Sequence, residues 1–177
     1  MKDLYIEEIG QFDSLTCMDE IMNNHGQAVL ELAFSYVKNR TVAEDLTQEI
    51  FVKCYKALPS FKGEAKVKTW LWKIAINHCK DYLRSWHYRN LEMMDTEAFF
   101  VEEDSVEHKV LEKDERESLL GSVLNLPVKY RELIYFYYYE DLSIKEIEIV
   151  TGINSNTIKS RMRRAKKLLK EFIQEGR

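Results

Sequence analysis

The residues of this 177-residue chain that could do chemistry are cations, amides and indoles in helical register. From Ser155 to Lys170 there are seven basic side chains and no acid. At helical spacing Ile158, Met162, Ala165, Leu169 and Phe172 share one stripe, and Lys159, Arg163, Lys166, Lys167 and Lys170 fall opposite. A helix divided in this way suits duplex recognition, because its N-terminal side chains reach base edges and flanking cations neutralise phosphates. Lys159, Ser160 and Arg163 are the candidates for base edges; Thr157, Arg161 and Arg164 stand on the helix shoulders, toward phosphate. A solvated basic face, or a surface for an acidic protein, is the competing reading.

A second set runs from Phe61 to Arg89. Lys73, Asn77, Lys80 and Arg84 form a polar stripe, Lys62, Lys66 and Lys68 precede it, and Trp70 and Trp72 lie at the join. Cations follow a phosphate backbone, whereas indoles stack on unpaired bases at about 1–3 kcal/mol per base. Duplex DNA hides those faces, so the mixture points to single-stranded or opening DNA, with Asn77 able to bond an exposed base edge. For Trp70, core packing and base contact are both open.

A third set lies on the helix of Asp45 to Lys56, where Asp45, Gln48, Glu49 and Val52 align opposite Leu46, Ile50 and Cys54. No histidine joins these carboxylates in the sequence and no glycine-rich phosphate loop accompanies them, so neither a metal nor a catalytic group is expected. The patch suits a basic or amphipathic partner helix, or is an ordinary solvated face.

Helices must position all three sets. Ile21, Ala28, Leu32 and Tyr36 mark one; Leu46, Ile50, Cys54 and Leu58 a second, stopped by Pro59; Leu71, Ile74, Ala75, His78 and Tyr82 a third. Pro127 sits where another begins, and Tyr130, Leu133, Ile134, Tyr137 and Tyr138 predict an inward stripe, so the run Tyr135 to Tyr139 reads as mostly core. Ser143 and Glu146 form a capping box, Gly152 can take positive φ, and Asn154 or Ser155 can cap the next helix. This is a helix-turn-helix pattern.

With no sustained period-two alternation, the expected fold is all-α: two small helical domains joined by an acidic linker, the second containing the helix-turn-helix. The net charge of −4 is unevenly spread: residues 20–92 carry eleven basic against eight acidic side chains, 93–118 three against ten, and 119–177 eleven against seven. The expected division is an N-terminal extension at 1–19, a first domain at 20–92, a linker at 93–117 and a second domain at 118–177; a solvated helix face is the other reading of the acidic stretch. The longest run free of Asp, Glu, Lys and Arg is 11 residues, short of the roughly 20 that span a bilayer. The start of the chain also lacks the features of a secretory signal, so a cytoplasmic location without membrane insertion is expected. Cys17, Cys54 and Cys79 are widely spaced and read as buried free thiols, with no disulfide, metal or other cofactor.

Three strings together resemble the sigma factors of bacterial RNA polymerase, in the small extracytoplasmic-function (ECF) branch. AEDLTQEIFVKCYKAL resembles the family's core-polymerase-binding helix. FKGEAKVKTWLWKIAINHCKDYLR resembles its promoter-melting and −10-recognition segment, and LPVKYRELIYFYYYEDLSIKEIEIVTGINSNTIKSRMRRAKKLL its −35-reading domain. The resemblance implies a promoter-specificity subunit that is not an enzyme and is used in stress response. Asp45, Gln48, Glu49 and Val52 then face the clamp coiled coil of the polymerase's largest subunit. Phe61, Lys62, Gly63, Lys66, Lys68 and Thr69 belong to the loop that captures a flipped −10 base, with Trp70, Lys73, Asn77, Lys80 and Arg84 beside it. Thr157, Lys159, Ser160, Arg161, Arg163, Arg164 and Lys167 serve the −35 element. The flap of the second subunit, promoter DNA and an anti-sigma factor are the further partners implied. The loop departs from the family pattern at Ala65-Lys66-Val67-Lys68, where small polar and aromatic residues are usual.

Overall fold

The computed structural model describes residues 14–63, 65–94 and 121–175. Helix α1 (Ser14–Val37) and helix α2 (Arg40–Ala57) form a hairpin whose turn is only Lys38 and Asn39. Lys38 takes the left-handed conformation (φ 56°) that lets the chain reverse, and the Asn39 side chain accepts from the Val42 N–H at 3.0 Å. Helix α2 runs into a 3-10 turn at Leu58–Ser60, where Pro59 cannot donate to a continuing α-helix. After a loop, α3 (Val67–Met94) packs on both earlier helices. Ile21, Leu32, Ile50, Leu71 and Ile76 are fully buried between the three.

Cys17, Cys54 and Cys79 are free and buried, as their spacing suggested; burial pushes the Cys54 and Cys79 thiols up to about 12. Cys17 and Met18 belong to this core, so α1 begins within the segment 1–19. The acidic linker falls almost wholly outside the described residues.

The second unit opens with a helical stretch at 121–125, followed by α4 (Val128–Ile134) capped at Pro127. The helix then widens into a π-helix over Tyr135–Tyr139. That widening overturns part of the expected inward stripe. An extra residue in the turn rotates the side chains beyond it, so Tyr135 and Phe136 are buried while Tyr137, Tyr138 and Tyr139 are exposed. Helix α5 (Ile144–Thr151) begins at the Ser143–Glu146 capping box, with both reciprocal bonds formed, and ends at Gly152 with φ 70°. Helix α6 (Ser155–Glu175) comes after a tight turn. Among the described residues there is no strand, and the two-helix turn is a helix-turn-helix.

The two units pack against each other: α1 and α3 of the first meet α4, the π-helix and α5 of the second. Trp72 of α3 is fully buried there, its ring edge-on to Tyr135 at 6.3 Å and to Phe136 at 5.6 Å. The Tyr135 hydroxyl donates to the Ala28 carbonyl of α1 at 2.7 Å.

Candidate DNA and polymerase interfaces

Helix α6 is fixed to α5 through its first residue. The Ser155 N–H donates to Glu148 at 3.1 Å, and its hydroxyl donates to the other oxygen of the same carboxylate. Those bonds hold the Glu148 carboxyl below its usual value. Asn154 accepts from the Asn156 N–H at 2.9 Å, capping the helix start. Ile158, Met162 and Ala165 are buried against the rest of the unit. Lys159, Ser160, Arg163, Arg164 and Lys167 are consequently exposed on the outer face, with Thr157 and Arg161 half-buried at its edges. Lys167 lies 3.8 Å from Glu171, a loose exposed pair. The face is a strip of cations along a 21-residue helix.

In the first unit, α3 begins at Val67, so Lys68 and Thr69 occupy its first turn and only Phe61 to Lys66 lie before it, a shorter loop than expected. Val67 is buried, which anchors that start. Phe61 and Trp70 pair at a ring distance of 5.1 Å, and both are half-buried. Gly63 takes φ 69° in the turn between them. Lys62, Lys66, Lys73, Asn77 and Arg84 are exposed, whereas Thr69 is half-buried. Arg84 lies 3.2 Å from Asp81. Two members of this cationic set are engaged by the second unit: Lys68 lies 3.0 Å from Glu140, and Lys80 3.0 Å from Glu132.

On α2, Asp45, Gln48, Glu49 and Val52 are all exposed, Val52 to 52%. Gln48 and Val52 border an open groove of about 640 Å³ between α1 and α2, to which Met22, Leu30, Phe51 and Tyr55 add apolar wall, whereas Asp45 and Glu49 stand outside its lining. Met22 and Tyr55 escaped the sequence reading. Tyr55 could have been found, since Gln48, Val52 and Tyr55 are spaced i, i+4, i+7; Met22 comes from another helix and carries no local signal. His78 of α3 also escaped it: its Nε2 is 2.7 Å from Glu49 and its Nδ1 2.7 Å from Lys53. A second groove, about 610 Å³, lies between α4 and α6, with Ile134, Tyr138, Tyr139 and Leu169 as walls and Lys166 and Lys170 on the rim. Among the described residues no three His, Cys, Asp or Glu side chains converge as a metal site, and no helix is long and apolar enough to cross a membrane.

Among the described residues the chain is a pair of helical units, the second ending in a helix-turn-helix with an exposed cationic face, which is the form of a module that reads duplex DNA. Residues 21–87 match the family model for sigma-70 region 2, and 116–169 that for sigma-70 region 4. The chain is 33% identical over 156 residues to the RNA polymerase sigma factor SigV of Bacillus subtilis, covering 88% of each protein. To the ECF RNA polymerase sigma factor SigM of the same organism it is 31% identical, covering 90% of this chain and 96% of that one. The fold is shared with the sigma factor RpoE of Bartonella quintana, solved in complex with the anti-sigma factor NepR, at a TM-score of 0.70 and 23% identity over 90% of this chain and 98% of that one. The chain belongs to the ECF branch of the sigma-70 family of RNA polymerase sigma factors.

Proposed function

We propose that this sigma factor divides promoter recognition among three surfaces, each assembled from a different helix. The exposed face of α2, with Gln48 and Val52 bordering an apolar groove and Asp45 and Glu49 beside them on the same helix, docks on the clamp coiled coil of the polymerase's largest subunit. Acidic and amide groups around an apolar centre complement an amphipathic helix with basic flanks. The loop Phe61 to Lys66 and the start of α3, with Thr69, Trp70, Lys73, Asn77, Lys80 and Arg84, hold the parted −10 strand. Helix α6 enters the −35 major groove with Lys159, Ser160 and Arg163, while Thr157, Arg161, Arg164 and Lys167 meet phosphates. The flap of the second subunit contacts the second unit, and an anti-sigma factor holds the protein inactive until stress releases it. The chain performs no covalent chemistry itself and works in the cytoplasm, where the polymerase is.

The single observation that carries the reading is the exposed cationic face of α6, set on a helix whose opposite stripe is buried and whose first turn is locked to α5. Run-off transcription with purified core polymerase on native promoters tests it. Promoter-dependent transcripts are expected; none from any native promoter would reject the reading.

A further inference from the structure

The first turn of α6 carries a polar side chain to which none of the three surfaces gives a role. Asn156 is exposed and follows Ser155, whose N–H and hydroxyl are both held by the Glu148 carboxylate of α5. Its own N–H donates to the Asn154 side-chain oxygen at 2.9 Å, so the backbone at Asn156 is fixed from the turn as well as from α5. The side-chain amide of Asn156 makes no hydrogen bond among the described residues. Asn156, Ser160, Arg163 and Lys167 are spaced i, i+4, i+7 and i+11, a single stripe opposite the buried Ile158, Met162 and Ala165. Asn156 is the N-terminal member of that stripe, and in a recognition helix the N-terminal side chains reach deepest among the base edges.

The chemistry of the stripe narrows what Asn156 can read. The Ser160 hydroxyl donates to the Thr157 carbonyl at 2.9 Å, which leaves its oxygen as an acceptor. Arg163 offers donors only. Asn156 alone presents a donor and an acceptor side by side, the pair that matches N7 and the N6 amino group of adenine in the major groove. Guanine shows two acceptors there, and cytosine and thymine one polar group each, so no other single base engages both ends of the amide. We propose that Asn156 is a specificity-determining residue of this sigma factor and reads one adenine of the −35 element through that two-bond contact. This rests on the assignment of α6 to the −35 major groove. A rise of about 1.5 Å per residue puts Asn156 about 10 Å before Arg163 along α6, and base pairs repeat at about 3.4 Å, so the adenine lies within about three base pairs of the one that Arg163 reads. A phosphate contact from the same position would strengthen all sequences alike.

The test uses holoenzyme assembled from the full chain and core polymerase, which selects from promoter duplexes randomised across the −35 region. The parent is expected to select adenine at one position, and Asn156→Ala to accept all four base pairs there within about twofold while keeping its other preferences. Arg163→Ala, carried through the same selection, marks the second position. On the parent's selected duplex, 7-deazaadenine in place of that adenine removes N7 and leaves pairing with thymine intact. It should weaken the parent about fivefold and leave Asn156→Ala unaffected. The 7-deazaadenine arm reads the contact in the unmutated chain, so it does not depend on how the variant folds. Four results would overturn the adenine assignment: a uniform loss or no loss with Asn156→Ala, a 7-deazaadenine effect that is absent from the parent or equal in both chains, a selected element whose Asn156-dependent position is not adenine, or one that lies outside the stated span from the Arg163 position. If Arg163→Ala still changes the selected element in those cases, α6 keeps its place in the −35 groove and only the role of Asn156 falls. If Asn156→Ala, Arg163→Ala and Lys167→Ala all leave −35 selection and affinity unaltered, the placement of α6 falls with it.

Discussion

His78 Nε2 lies 2.7 Å from Glu49 Oε2, so a side chain of α3 steadies a carboxylate on the exposed face of α2 that is proposed to dock on polymerase. The other ring nitrogen meets Lys53 at 2.7 Å, which fixes the plane of the imidazole. The Glu49 side chain is 62% exposed, so this pair adds little to folding, under about 1 kcal/mol. Its contribution is to orientation. His78 itself is only 11% exposed, so His78→Ala should lower the melting temperature modestly through lost packing and also weaken assembly with core polymerase about threefold, read by titration of core against labelled chain. A large fall in melting temperature with unaltered assembly would assign His78 to packing instead.

Glu49→Lys reverses charge on the same face and should reduce co-purification with core by at least about tenfold without loss of helicity. Unaltered co-purification would remove this face from the docking surface.

The two indoles near the start of α3 should separate cleanly. Trp72 is sealed between the units, so Trp72→Ala should destabilise the chain by about 3–5 kcal/mol, seen in chemical unfolding. Trp70 is half-buried against Phe61, and Trp70→Ala should cost less in unfolding but about 1–3 kcal/mol in single-strand binding. Equal effects of both substitutions on both measurements would contradict the assignment.

Ser143 and Glu146 make an acid-sensitive cap on α5. Hydrogen bonds from Ser143 hold the Glu146 carboxyl below its ordinary 4.5. The stabilisation is therefore complete above that value and is lost as pH falls through the lower folded value. Ser143→Ala should cost about 1 kcal/mol at neutral pH, and the gap between parent and variant should shrink as pH falls below 4.5. A gap that does not change with pH would show that the Glu146 arm of the box adds nothing.

Much of this architecture could be read along single helices. The helix-turn-helix was legible because each part, Ser143, Gly152, Asn154 and the stripe of Ile158, Met162 and Ala165, is a local signal. Tyr137 and Tyr138 were misplaced because periodicity assumes 3.6 residues per turn, and the π-helix at Tyr135–Tyr139 breaks that register. His78 with Glu49, and Glu132 with Lys80 and Tyr36, could not be read at all. Those pairs join residues 29, 52 and 96 positions apart, and no spacing rule reaches across helices that far. Trp70 and Trp72 stood together at the join in the sequence, and nothing local separates them; the burial of Trp72 depends on a unit that arrives more than 50 residues later.

Arg163→Ala should alter −35 sequence preference, whereas Lys167→Ala should weaken all sequences alike and reduce the salt dependence of binding by about one phosphate contact. Competition among −35 variants, repeated at several salt concentrations, separates the two outcomes. A uniform loss for Arg163→Ala would make it a phosphate contact.

The division between a strand-holding unit and a duplex-reading unit is tested most directly by permanganate reactivity of −10 thymines, measured with a −35 footprint on the same polymerase–promoter complexes. A Trp70→Ala/Asn77→Ala chain should keep the −35 footprint and lose the reactive thymines; Arg163→Ala on its native promoter should weaken the footprint first. Loss of footprint and reactivity together with Trp70→Ala/Asn77→Ala, or full reactivity without Trp70 and Asn77, would contradict the account.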